Sequence, residues 1–132
     1  MCGISGILLS TDGIEVVSAT QKMIDTLRHR GPDDQGIWVD QEAGVALGHR
    51  RLSIIELGTA GAQPMTSACG RFVIAFNGEI YNHLALRDDL AEEGIASGWR
   101  GTSDTETLLV ALTHWGIRDT SVSYTHLTLP TN

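Results

Sequence analysis

Cys2, which directly follows the initiator methionine, is the residue with the clearest chemical potential. Cysteine is small enough at this position to permit removal of Met1, and removal would leave a thiol and a free α-amino group on one residue. The amine has a reference pKa of about 7.7–8.0 and the thiol about 8.5, so the amine can accept the thiol proton near neutral pH. One residue would then supply nucleophile and base. Taken alone, a cysteine at position 2 still favours a structural role.

Two other segments combine polar groups that bind ligands in many proteins, and each has a plain structural alternative. Asn77-Gly78 offers a side-chain amide beside an unhindered backbone N–H, but the same dipeptide favours an ordinary hairpin turn. Asp104 offers a carboxylate, yet beside Ser103 it is also a suitable helix N-cap. On the residues alone, the hairpin turn is the favoured interpretation of Asn77-Gly78, whereas the two roles of Asp104 are compatible with each other.

The elements that must position these groups are strands interleaved with helices. The apolar run Ile4–Leu9 predicts a strand that would hold the chain terminus inside a fold. Capping-box spacing at Ser18/Gln21 and Ser103/Glu106 predicts two of the helices. The predicted helices cover Ser18–Arg30, Asn82–Glu93 and Ser103–Gly116, and the other predicted strands cover Gly36–Val39, Val45–Gly48 and Phe72–Phe76. Early, paired strands favour a layered α+β domain.

Composition limits the functional classes that remain. A chain of 132 residues favours one domain, and a net charge of −7 argues against a nucleic-acid surface. The sequence has no signal peptide and no apolar stretch of membrane-spanning length, which predicts a cytoplasmic protein with no membrane partner. The two cysteines form no disulfide framework, and the five histidines lack metal-binding spacing, so no metal site is expected.

Five ordered motifs give the sequence a family resemblance. They are Met1–Ile7 (MCGISGI), Arg28–Asp33 (RHRGPD), Gly48–Ile54 (GHRRLSI), Phe76–Asn82 (FNGEIYN) and Ser103–Glu106 (SDTE). Together they resemble the class II glutamine amidotransferases, which are N-terminal nucleophile hydrolases. The RHRGPD and RRLSI segments are similar to the asparagine synthetase branch of that class.

The resemblance implies hydrolysis of L-glutamine to glutamate and ammonia. Cys2 would attack the side-chain amide and form a glutamyl thioester. Asn77 would contribute a side-chain N–H, and Gly78 a backbone N–H, to the oxyanion hole that the tetrahedral intermediate requires. With the flanking motifs present, this interpretation of Asn77-Gly78 outweighs the hairpin turn.

The resemblance also implies how the substrate is held. Arg51 would grip the α-carboxylate of glutamine through two charge-assisted hydrogen bonds. Its neighbour Arg50 should point to the other side of a strand. Asp104 would bind the α-ammonium group, with Glu79 nearby.

The implied fold is the αββα four-layer sandwich, incomplete in this chain. Residues 1–120 would form part of the amidotransferase domain, and the Thr-rich stretch 121–132 is predicted to be a foreign tail. No cofactor is expected here, since ATP and Mg²⁺ would serve an ATP-dependent synthetase domain that is normally part of the same chain. A homodimer of the full-length protein is a candidate assembly. The alternatives are a catalytically silent fragment of poor solubility, or an amidotransferase for another acceptor, such as a cell-surface sugar carboxylate.

Overall fold

The computed structural model describes residues 1–8, 15–53, 58–95 and 98–123, without the side chains of residues 122 and 123. The chain divides into two compact units. The first comprises Met1–Ile54, Ala62–Met65 and Ile74–Asn77, and the second comprises Ile55–Gly61, Thr66–Val73 and Gly78–Asn132.

The first unit is built on a three-stranded antiparallel sheet. Strands β1 (Gly3–Leu8), β2 (Asp34–Asp40) and β3 (Val45–Arg51) lie in the order β1-β3-β2, which confirms the three predicted strands, although Leu9 lies outside the described residues. Helix α1 (Val16–Thr26) packs on one face of this sheet.

Gly48 allows α1 to approach the sheet closely. A Cβ at this position would lie 2.6 Å from Ser5 Oγ and 2.9 Å from Thr20 Cγ2, inside contact distance. Ile24 on the same helix is fully buried. The missing side chain in the middle strand therefore makes room for the packed face of the helix.

The start and end of α1 differ from the sequence prediction. The helix begins at Val16 rather than Ser18, with Glu15 as N-cap, and the chain leaves it after Thr26. Ser18 therefore lies inside the helix, and Gln21 donates a hydrogen bond to Asp25 Oδ1 at 2.9 Å, one turn ahead. The predicted capping box is wrong because the polar pair forms part of the helix surface.

A short two-stranded sheet pairs β4 (Met65–Thr66) with β5 (Val73–Ile74), after a 3₁₀ turn at Thr59–Gly61. Strand β5 is much shorter than the predicted strand Phe72–Phe76. The reason is local, because the Phe76 N–H donates to the Gln63 side-chain oxygen at 2.6 Å instead of to a neighbouring strand.

The second unit packs α2 (His83–Glu92) against α3 (Asp104–Ser123). Both helices bury leucines, among them Leu86, Leu90 and Leu109. Gly94 follows α2 with a φ of 73°, in the left-handed region where glycine ends helices. These positions confirm the predicted helix from Asn82 to Glu93.

Helix α3 is interrupted where the sequence predicts its end. Gly116 has φ 80° and ψ 173°, outside helical values, and helical conformation resumes after it. Residues 121–123, the start of the predicted tail, belong to this continuation. Residues 124–132 lie outside the described part of the chain.

Taken separately, the units give a mixed α/β structure with antiparallel sheets. This agrees with the predicted α+β class and is compatible with a domain of the N-terminal nucleophile hydrolase type. The described residues contain no helix with both the length and the apolar character needed to span a membrane.

Candidate active site

Cys2 is anchored by its own backbone and by its thiol. Its carbonyl oxygen accepts a hydrogen bond from Arg30 Nε at 3.2 Å. Its Sγ accepts the Leu52 N–H at 3.3 Å and lies 3.7 Å from the Leu52 carbonyl oxygen. Strand β1 begins at the next residue, Gly3, which pairs with Arg50. The second residue of the chain is therefore held in place rather than frayed.

The register of the sheet shows which side chains share a face with Cys2. Ile4 pairs with His49, and cross-strand partners point to the same side of a sheet. Side chains alternate along a strand, so Arg51 lies on the same side as His49, and the same alternation continued to the residue directly before β1 assigns Cys2 to the side of Ile4. This face is opposite α1.

Arg50 occupies the other face, as predicted. Its Nε donates to the Ile24 carbonyl oxygen at 3.0 Å, and its Nη2 pairs with Asp25 Oδ1 at 3.0 Å. Both partners belong to α1, so this guanidinium joins the helix to the sheet. Arg51, buried at the end of β3, remains the arginine on the face of Cys2.

The RHRGPD segment packs against the end of β3. A Cβ on Gly31 would lie 2.5 Å from both the Arg50 carbonyl oxygen and Arg51 N, closer than any relaxed contact. The Asp33 N–H donates to the Arg51 carbonyl oxygen at 3.0 Å, and Asp33 Oδ2 accepts the Ser53 N–H at 2.8 Å. The segment therefore fixes the backbone on both sides of Arg51.

His49 is fully buried on the face of β3 that carries Arg51. Burial lowers its pKa most strongly; the nearby Arg51 charge acts in the same direction, while the Phe76 backbone and Asp34 oppose the shift. The ring therefore lies next to the peptide that precedes Asn77. Asn77 itself is half-buried in the same unit as Cys2 and Arg51.

The other predicted site residues belong to the second unit. Gly78 is half-buried, Glu79 is exposed, and Asp104 is buried as the first residue of α3. Asp104 Oδ2 accepts the Ile80 N–H at 2.9 Å, and its Oδ1 accepts the Thr105 N–H at 2.7 Å. Its carboxylate thus ties the start of α3 to the residue after Asn77-Gly78-Glu79.

An ion pair between the half-buried Arg87 and the buried Glu106 fixes the loop before α3, and sequence reasoning did not identify it. Arg87 donates to Thr107 Oγ1 at 2.8 Å and to the carbonyl oxygens of Gly101 and Ser103 at 3.0 and 3.1 Å. Its guanidinium stacks 4.0 Å from the Trp99 ring centroid and lies 3.8 Å from Glu106. Nothing in the helical pattern of α2 marks this arginine, because its partners are mostly backbone carbonyls.

Glu106 does not form the predicted capping box with Ser103, and its carboxylate binds backbone N–H groups further before the helix. Its Oε1 accepts the Arg100 N–H at 2.9 Å, and its Oε2 accepts the Gly101 N–H at 3.2 Å. The carboxylate therefore binds the backbone of residues that precede Ser103 in the sequence. Together with Arg87 it holds residues 100–103 against the helix start.

The structure thus groups Cys2, Arg51 and Asn77 in one unit, and Gly78, Glu79 and Asp104 in the other. Within the residues it describes, no three His, Cys, Asp or Glu side chains are arranged to hold a metal ion. In the first unit, the Cys2 thiol is held at the residue after the buried Arg51, and a thiol and a guanidinium can together combine nucleophilic attack with the binding of an anionic group.

Known proteins are similar to this sequence over most of its length. Residues 1–124 match the family described as glutamine amidotransferase domain. The glutamine-hydrolyzing asparagine synthetase B of Escherichia coli is 42% identical over 110 residues, which cover 83% of this chain and 19% of that protein. The glutamine-hydrolyzing asparagine synthetase 3 of Bacillus subtilis is 36% identical over 118 residues, covering 87% and 18%.

A relative with a different name matches equally widely. The protein named amidase chry2 of Gibberella zeae is 35% identical over 127 residues, which cover 89% of this chain and 18% of its own. The chain spans about a fifth of the length of these relatives. Because the family match covers nearly the whole sequence and includes Cys2, this chain belongs to the glutamine amidotransferase domain family.

Proposed function

We propose that this chain hydrolyses L-glutamine to glutamate and ammonia, with Cys2 as the nucleophile. The observation that carries the proposal is the contact of the Cys2 thiol with the backbone that directly follows the buried Arg51. The thiol is held at the Leu52 backbone, one residue beyond Arg51. A nucleophile held beside the strand end that carries a buried arginine suits a substrate that carries both an amide and an α-carboxylate, with Arg51 as the proposed partner of the carboxylate.

The reaction would proceed by acyl transfer. After loss of Met1, the α-amine of Cys2 takes the thiol proton, and the sulfur attacks the side-chain carbonyl carbon of glutamine. The negative charge that develops on oxygen is stabilised by the side-chain N–H of Asn77 and the backbone N–H of Gly78. The protonated amine returns its proton to the leaving nitrogen, which departs as ammonia. Water then cleaves the thioester and releases glutamate.

The substrate's α-groups would be bound by charge. Arg51 pairs with the α-carboxylate, and Asp104 accepts the α-ammonium, with Glu79 as a second carboxylate nearby. Each Asp104 oxygen already accepts a backbone N–H, but a carboxylate oxygen can accept more than one hydrogen bond. Its role at the start of α3 and its proposed role in binding are therefore compatible.

In the full-length protein the ammonia would serve amide synthesis. The names of the glutamine-hydrolyzing asparagine synthetases support asparagine synthesis as its use. Aspartate would then be the acceptor, activated with ATP and Mg²⁺ by a separate synthetase domain. The amidase-named relative keeps an amidotransferase for another carboxylate acceptor as the second candidate. Both candidates share the glutaminase half-reaction, so that half-reaction is tested first.

Glutamate release is the direct test, and the chain supplies its own control. Cys2→Ala should abolish glutamate formation, whereas Cys69→Ala should leave it unchanged, because Cys69 is an exposed thiol in the other unit. Mass spectrometry should find Met1 removed, and an N-terminal extension that blocks the α-amine should also abolish activity. Full activity in folded Cys2→Ala protein would refute the mechanism. Inactivity of the folded wild-type chain would favour a silent fragment.

A further inference from the structure

His49 is a buried titratable group that the proposed chemistry leaves unused. Its side chain has no solvent exposure, and neither ring nitrogen makes a hydrogen bond of standard geometry within the described part of the chain. Burying an unpaired polar group is unfavourable. A fully buried ring in this condition calls for a role that offsets the loss.

The sheet directs this ring away from α1. Gly48 and Arg50, its neighbours on β3, both face the helix. Alternation therefore places His49 on the opposite face, beside Arg51 and on the side of Cys2. The ring lies in the same layer as the residues proposed to act on glutamine.

A chain of contacts leads from His49 to the segment before Asn77. Gly36 pairs with His49, and a Cβ on Gly36 would collide with the Gln63 backbone carbonyl, so Gln63 covers this face of the sheet. The side chain of Gln63 accepts the Phe76 N–H at 2.6 Å. The Phe76 backbone is also near enough to the His49 ring to oppose the lowering of its pKa.

We propose that His49 is a positioning residue whose neutral ring donates a hydrogen bond to the Phe76 carbonyl and so orients Asn77. This inference rests on the proposed function, because Asn77 is the side chain offered to the oxyanion. Gln63 would hold the N–H of Phe76 while His49 holds its carbonyl. Catalytic-site hydrogen bonds are often long in the free enzyme and tighten when substrate binds.

Three substitutions separate a hydrogen-bonding role from a space-filling one. His49→Leu fills the site without a donor, whereas His49→Asn and His49→Gln each keep an N–H at the reach of one ring nitrogen. All are made in the chain with Met1 removed. One readout is the NMR shift of the Asn77 side-chain amide, and the other is kcat and KM for glutamine hydrolysis.

The expected pattern has two parts. His49→Leu should shift the Asn77 amide signals and lower kcat by about 10-fold with KM within about 3-fold, the effect of one lost hydrogen bond. At least one amide variant should recover kcat to within about 3-fold of wild type. Unchanged Asn77 signals in folded His49→Leu protein would overturn the proposal, as would equal kcat losses in all three variants that only follow their stability.

Two further outcomes remain decisive. If wild type releases no glutamate, the proposed function fails, and the Asn77 signals alone decide whether His49 contacts this segment. If His49→Leu does not fold, the wild-type ring decides: a slowly exchanging imidazole N–H supports the hydrogen bond, and a rapidly exchanging one overturns it.

Discussion

Gly31 offers a sharp test of how the RHRGPD segment supports the candidate site. Its φ is not in the left-handed region, so alanine meets no backbone strain there. The obstacle is steric, because the new Cβ would lie 2.5 Å from the Arg50 carbonyl oxygen and from Arg51 N. Both atoms belong to the backbone of β3 and cannot rotate away. Gly31→Ala should therefore push the segment off the strand end.

The magnitude follows from the overlap. Ordinary carbon contacts begin near 3.4 Å, so the two backbone segments must move apart by roughly 1 Å to make room for the new Cβ. Overpacking of this kind destabilises a protein by about 2–3 kcal/mol. For a chain of 132 residues this corresponds to a melting temperature roughly 8–12 °C lower. Glutamate release should also fall, since the moved atoms include the Arg51 nitrogen.

Gly6→Ala is the matched control. Its Cβ would lie 3.6 Å from the Ala46 carbonyl oxygen and 3.6 Å from Leu47 Cδ2, both ordinary contacts. Its melting temperature should stay near wild type or rise slightly, because alanine restricts the unfolded chain. Circular dichroism melts of the three proteins decide the matter. A Gly31→Ala melt within about 2 °C of the control would refute the steric reasoning.

Three other predictions concern charge. Burial holds the pKa of His49 below its ordinary value near 6.5, so the unfolded chain binds a proton at this residue more readily than the folded chain. The free energy of unfolding should therefore fall as pH drops below about 6.5 and should not depend on this group at higher pH. Denaturant titrations of His49→Gln should show a smaller loss of stability in acid than those of wild type. Arg51→Lys should raise KM for glutamine by about 10-fold or more, since lysine cannot form the paired hydrogen bonds to a carboxylate, and initial rates giving an unchanged KM would contradict the assigned role. Arg87→Met should destabilise the chain by about 2–4 kcal/mol in urea titrations, because it removes three hydrogen bonds and one of the two cations paired with Glu106. A loss of stability below about 0.5 kcal/mol would show that the ion pair is dispensable.

The sequence predicts the elements of this fold better than their polar contacts. Strand β3 was recognisable from Val45 onward, and the opposite directions of Arg50 and Arg51 follow from strand alternation alone. The Ser18/Gln21 pair gave a wrong helix start, because the spacing of a capping box also occurs by chance within an amphipathic helix. Local pattern determines which residues form an element, while its end depends on neighbours that the pattern does not contain.

The candidate site shows the same limit. Cys2 and Arg51 were predicted from chemistry and motif, and the structure holds the Cys2 thiol at the backbone of Leu52, the residue after Arg51. By contrast, His49 is in the sequence one of five histidines, set between a glycine and two arginines, and its burial becomes apparent only once Gly36 is seen opposite it with the Gln63 carbonyl in the place of a side chain. Contacts between segments distant in sequence, such as Phe76 with Gln63, leave no periodic signal.

The contacts of Cys2 bear on when the site becomes ordered. Arg30 binds the Cys2 carbonyl, Leu52 binds the thiol, and pairing in the sheet begins at Gly3. None of these contacts uses an atom of Met1, which is 44% exposed and precedes the first strand. Removal of Met1 therefore leaves the anchors intact and changes one group only, from a peptide nitrogen to an amine. Folding would thus set the position of the thiol, and removal of Met1 would supply the α-amine that acts as its base. A chain that retains Met1 should therefore be as stable as the chain without it and yet release no glutamate.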